Sequence, residues 1–83
     1  MYTIQFSDSA FRMLQKLERQ TQERITSALE RIRIRPESYV ERLVGDSSYK
    51  LRVGDYRLIL DIQHQVLTIL VVKIGHRSIV YKR

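Results

Sequence analysis

Residues 49–57, YKLRVGDYR, hold the densest group of side chains in this chain that could do chemistry. Apolar and polar residues alternate on both sides of Gly54-Asp55, which predicts two antiparallel strands joined by a two-residue turn. Glycine in the first turn position selects type II′. This register sets Val53 opposite Tyr56, Leu51 opposite Leu58, and Arg52 opposite Arg57. Lys50 and Arg52 then share one face of the first strand, and Arg57 joins that face from the second. Like charges directly opposed across a strand pair are destabilising, so the arrangement favours an anion held between them. Phosphate fits best, because guanidinium groups match its geometry in bidentate fashion. The plain alternative is an ordinary solvated hairpin face.

A second group closes the chain in VVKIGHRSIVYKR. Gly75 interrupts a strand pattern and predicts a bulge or bend that re-aims the side chains after it. His76 and Arg77 sit at that bend, and Tyr81, Lys82 and Arg83 come one short strand later. A bend near the cationic end of the hairpin brings Arg77 towards Arg52 and Arg57. Other readings are structural: Tyr56 is core by strand parity, His76 braces the bend, Lys82 and Arg83 form a frayed tail, and His64 is a turn residue without a role.

The elements that must position these groups are set by periodicity. Residues 2–6 alternate as a first strand, and Ser7, Asp8 and Ser9 are N-cap candidates for a helix carrying Ala10, Phe11, Leu14 and Leu17. A polar break at residues 19–21 leads to a second helix with Ile25, Ala28, Leu29 and Ile32 on one stripe, stopped before Pro36. Residues 37–48 form a connection pinned by Tyr39, Val40, Leu43 and Val44, with a turn at residues 45–48. Strands come next at 49–53, 56–63, 66–74 and 78–82, the middle pair turning near His64-Gln65. Leu51, Leu58, Leu60, Ile62, Leu67, Ile69 and Val71 should line the face under the helices. Lys50, Arg52, Arg57, Ile59, Leu70, Val72 and Ile74 should line the other, which nothing in the chain covers. The fold class is α+β: an N-terminal strand, then an antiparallel helical hairpin packed on one face of a mainly antiparallel sheet.

Eighty-three residues make one domain spanning 1–83, with no linker composition. Without cysteine there is no thiolate chemistry, and two distant histidines give no metal-ligand spacing, so neither metal nor cofactor is expected. No apolar run is long enough to span a membrane and no leader opens the chain, so a cytoplasmic protein without a membrane partner is expected. The net charge of +6 is uneven. Residues 1–49 carry eight Lys and Arg against seven Asp and Glu, whereas residues 50–83 carry seven against two. The C-terminal part therefore calls for an anionic partner.

The order of these elements, with an R-x-G-D-Y-R hairpin and a terminal I-G-H-R-x-x-V-Y, resembles the RelE branch of the RelE/ParE toxin superfamily over the whole chain. The matching residues are Arg52, Gly54, Asp55, Tyr56 and Arg57, then Gly75, His76, Arg77, Val80 and Tyr81. The resemblance implies a fold akin to microbial ribonucleases and the toxin of a type II toxin-antitoxin pair, cutting mRNA in the ribosomal A site and blocked by a cognate antitoxin. By position it places the family's basic hairpin residues on Lys50 and Arg52, its phosphate-binding arginine on Arg57, its second arginine on Arg77 and its tyrosine on Tyr81. This sequence departs from the family in having Arg52 for a lysine and Leu60 where a tyrosine is common.

These residue types suit RNA cleavage by the neighbouring 2′-hydroxyl. That reaction needs a proton acceptor, a proton for the departing 5′-oxygen, and positive charge where the phosphorane becomes more anionic. Arginine accepts protons poorly, which leaves Lys50 or His76 as base. Tyr81 would stack on a base or orient the phosphate. Two other readings compete: a ParE-like inhibitor of DNA gyrase that cuts nothing, and an inactive nucleic-acid-binding relative.

Overall fold

A computed structural model of the chain describes residues 1–43 and 48–77. Strand β1 (Thr3–Phe6) leads into helices α1 (Asp8–Gln15) and α2 (Arg19–Arg31), a 3₁₀ turn at Pro36–Ser38, and strands β2 (Glu41–Arg42), β3 (Tyr49–Val53), β4 (Tyr56–Gln63) and β5 (Thr68–His76). The five strands form one sheet in the order β1-β5-β4-β3-β2. Only the β1–β5 pairing is parallel. Both helices lie on the same face, α1 against β5 and β1, α2 against β3. The α+β architecture is the one expected.

Ser7 starts α1 because its hydroxyl accepts the Ala10 N–H at 3.1 Å, a helix N-cap. Helix α2 begins at Arg19, so the break falls at residues 16–18, earlier than residues 19–21. The polar run is the solvated first turn of the helix, and the Gln22 side-chain amide donates to the Leu17 carbonyl at 2.9 Å to hold the connection. Arg35, just before Pro36, is held out of helical geometry at φ −135 and ψ 76, as the proline ring requires. Ile25, Leu29 and Ile32 from the helices meet Leu58, Leu60, Ile69 and Val71 from the sheet, all at most 1% exposed. Each such side chain contributes roughly 1.5–3 kcal/mol on burial.

The β3–β4 hairpin has the expected register, with Leu51 opposite Leu58, Arg52 opposite Arg57 and Val53 opposite Tyr56. Gly54 has φ +58 while Asp55 is not in the positive-φ region, the signature of type II′.

Several expectations are corrected. Strand β5 starts at Thr68, because the β4–β5 turn takes four residues and places Leu67 at φ +49. Leu67 is therefore 47% exposed instead of lining the core. Between Ile59 and Leu60 the register shifts, Ile59 facing Lys73 and Leu60 facing Val71, so Val72 is an extra, bulged residue. Side-chain parity reverses there, which turns Ile74 into the core at 4% exposure and brings Lys73 to the open face. The bulge thus precedes Gly75, and β5 runs through Gly75 to His76. The carbonyl of Val72 is taken by the Ser7 hydroxyl at 2.8 Å, so the α1 cap and the bulge are one hydrogen-bonded unit.

The connection after α2 contains β2, whose Glu41 pairs with Lys50. Val40 packs on the core, but Tyr39 is 54% exposed and pins nothing. The expectations for Val44, the turn at 45–47 and a strand at 78–82 lie outside the described residues.

Candidate functional site

On the sheet face away from the helices, Arg52 of β3 stands opposite Arg57 of β4, and Arg57 stands opposite Gly75 of β5. Lys50, Ile59 and Lys73 make the next row on the same face. Arg77 is brought to this group by the hairpin turn. Its backbone N–H donates to the Asp55 carbonyl at 2.7 Å, and its Nε lies 3.6 Å from Asp55 Oδ1. Asp55, a turn former by its place in the sequence, also anchors the end of β5. Arg52, Gly54, Tyr56, Arg57 and Arg77 line one hollow of about 90 Å³. A water occupies about 30 Å³ of liquid, so the hollow is on the scale of a single phosphate group.

Three arginines from three places in the sequence thus line one small space. Arg57 is half-buried while Arg52 and Arg77 are exposed, which gives one seated cation and two at the rim. In such a partly desolvated setting each charge acts more strongly on a bound anion than it would in bulk water.

Other candidates are placed differently. Lys50 shares the open face with Arg52 and Arg57, and its ammonium sits 3.5 Å from Glu41 Oε1, a contact that strand β2 creates. His76 is opposite Tyr56, on the face turned towards the helices. The two rings meet edge to face with centroids 5.1 Å apart. His76 thus packs beside Tyr56, on the opposite sheet face from Arg52 and Arg57. Tyr81 lies outside the described residues.

Two features escape a reading of the sequence. Lys73 reaches the open face only because of the bulge, which simple alternation conceals. At the opposite end of the sheet, His64 Nδ1 lies 2.8 Å from the Tyr2 hydroxyl and His64 Nε2 2.9 Å from Glu37 Oε2. The supposed idle turn residue fastens the N-terminal strand to the 3₁₀ turn. Among the described residues no three potential metal ligands gather, and no helix is long and apolar enough to cross a membrane.

Comparisons with known proteins agree on the kind of molecule. Residues 4–81 match the family described as ParE toxin of type II toxin-antitoxin system, parDE. The fold is similar to the toxin of the intact Escherichia coli RelBE toxin-antitoxin complex, at TM-score 0.80 and 22% identity over 92% of this chain and 96% of that one. It is similar to the Mycobacterium tuberculosis toxin-antitoxin complex RelBE2, at TM-score 0.82 and 25% identity over 92% and 98%. It is also similar to the archaeal RelE-RelB complex of Pyrococcus horikoshii, at TM-score 0.80 and 23% identity over 95% and 98%. No curated protein sequence matches the chain. With almost its whole length covered by the family and its fold shared with these proteins, the chain belongs to the ParE toxin family of type II toxin-antitoxin systems, within the RelE/ParE superfamily.

Proposed function

We propose that this toxin is a metal-independent, ribosome-dependent mRNA endoribonuclease that cuts in the A site and so inhibits translation. The observation that carries the reading is the convergence of Arg52, Arg57 and Arg77 on one phosphate-sized hollow. In the proposed reaction the RNA's own 2′-hydroxyl attacks the adjacent phosphorus. The new P–O2′ bond forms as the P–O5′ bond breaks, leaving a 2′,3′-cyclic phosphate and a 5′-hydroxyl. The three arginines hold the phosphate and neutralise the charge added in the phosphorane. The geometry favours Lys50 over His76 as proton acceptor, because Lys50 shares the sheet face of Arg52 and Arg57. In this reading Lys50 accepts the 2′-proton after parting from Glu41. The departing 5′-oxygen takes a proton from water in the open hollow. Tyr81 stacks on a neighbouring base or orients the phosphate in this reading.

The partner that restrains this activity is a cognate antitoxin, as in the RelB-bound structures of the similar toxins. Its apolar residues cover part of the open sheet face and its acidic residues offset the cationic end.

A second reading has its own support, since the matching family is described by ParE and parDE. In that reading the toxin binds DNA gyrase, stalls it, and cuts nothing. Induction of the toxin in cells, with mapping of mRNA ends on ribosomes, separates the two. The nuclease reading expects A-site ends in the wild type and a loss on the order of 10²–10³ in cleavage for Arg57→Ala or Arg77→Ala. Undiminished cleavage and growth arrest in both variants would overturn it. Stalled supercoiling by the purified toxin without mRNA cleavage would establish the gyrase reading in its place.

A further inference from the structure

A larger groove of about 590 Å³ lies between α2 and the β3–β4 hairpin. Glu23, Arg24, Ser27 and Arg31 of α2 line one wall, and Arg52 and Gly54 line the other. Arg52 and Gly54 also line the phosphate-sized hollow, so the two spaces share a wall. The guanidinium of Arg24 lies directly over Gly54, where a side chain's Cβ would stand 3.0 Å from Arg24 Nη2. Arg24 therefore bridges from the helix to the turn at the point where hollow and groove meet.

The charge in the groove is available to a ligand. Among the described residues no carboxylate lies within ion-pairing distance of Arg24, Arg31 or Arg52. The one acidic side chain in the lining, Glu23, is already paired with Arg19 at 3.5 Å. Arg24 and Arg31 are seven residues apart on the same face of α2, about 10 Å along its axis, so they address separate groups of an extended anion. Ser27 between them offers a neutral donor. The surface offers positive charge and hydrogen bonds in place of a broad apolar floor, which suits a sugar-phosphate chain better than a protein segment.

We propose that this groove binds the phosphate backbone of the RNA strand continuing out of the hollow, with Arg24 and Arg31 as its phosphate contacts. The inference rests on the ribonuclease reading and extends it from one phosphodiester to a flanking stretch of RNA. Arg52 belongs to both spaces and sets the direction in which the strand leaves. Backbone contacts of this kind position a strand without reading its sequence.

The test uses the purified toxin and two labelled RNAs made uncleavable by 2′-O-methyl groups, a trinucleotide that places one phosphate in the hollow and is too short to follow the groove, and a nonanucleotide. Affinity is measured by fluorescence anisotropy between 50 and 200 mM salt. Each phosphate contact on a single strand adds about 0.7 to the log–log salt slope. The Arg24→Ala/Arg31→Ala variant should lower the nonanucleotide slope by about 1.4, so that the wild type loses roughly sevenfold more affinity than the variant across this range. Its trinucleotide binding should stay at the wild-type level. The Arg24→Lys/Arg31→Lys variant, which keeps both charges, should retain the slope, separating lost contacts from altered folding. Arg57→Ala should weaken both probes. An unchanged nonanucleotide slope in the alanine variant, with Arg57→Ala still weakening both probes, overturns the groove and leaves the ribonuclease reading standing. Equal weakening of both probes by the alanine variant also overturns it. If Arg57→Ala weakens neither probe, the reading of the hollow falls, and the groove inference with it.

Discussion

Arg52 and Arg57 face each other in the β3–β4 register, and like charges opposed in this way favour a bound anion. Gly54 is what lets them do so. Its φ of +58 is open to glycine at little cost, and the space its missing side chain leaves is occupied by Arg24. Gly54→Ala should therefore lower stability by about 1–2 kcal/mol, read from the urea midpoint at unchanged slope. It should also displace Arg24. A variant as stable as the wild type would show that the turn accepts a side chain and that the contact imposes nothing.

At the scale of the element, the bulge at Val72 decides what β5 presents to each side. Before it, Ile69 and Val71 face the helices; after it, Ile74 does, and Lys73 and Gly75 face the open side. Uninterrupted alternation would have put Val72 and Ile74 together on the open face. The two positions should respond differently to truncation. Ile74→Ala should cost about 2–4 kcal/mol by leaving a cavity beside Leu58, while Val72→Ala should cost about 0.5 kcal/mol or less. Chemical denaturation of the pair checks this, and equal costs would mean the register shift is absent. The same reversal is why His76 lies against Tyr56, although its neighbour Arg77 reaches the hollow from the hairpin turn.

Across the whole molecule, charge and clasp lie at opposite ends of one sheet. The guanidinium cluster sits at the Gly54 turn, and the contacts among Tyr2, Glu37 and His64 sit where β4 ends. These contacts are largely exposed and contribute little individually, but they join the first strand, the 3₁₀ turn and the β4–β5 turn. With a net charge of +6, most of it in residues 50–83, association with the proposed antitoxin should be steered electrostatically. Its on-rate should fall severalfold between 50 and 500 mM salt, while the off-rate changes less. Stopped-flow mixing measures both, and a salt-independent on-rate would place the antitoxin away from the cationic end.

The hairpin register, the type II′ turn, the helical stripes and the mainly antiparallel sheet were legible in the sequence because each depends on neighbours within a few residues. Period-2 and period-3.6 patterns and a glycine at a fixed turn position carry their own physical constraint. What the sequence left open was every feature set by contacts between distant segments. The bulge rests on Ser7 holding the Val72 carbonyl, Arg77 on the Asp55 backbone, Lys50 on a two-residue strand, and His64 on Tyr2 and Glu37. Each joins groups more than eight residues apart, and no local pattern encodes such a meeting. The hairpin register had already put Lys50, Arg52 and Arg57 on one face, and tertiary packing alone added Lys73 to them.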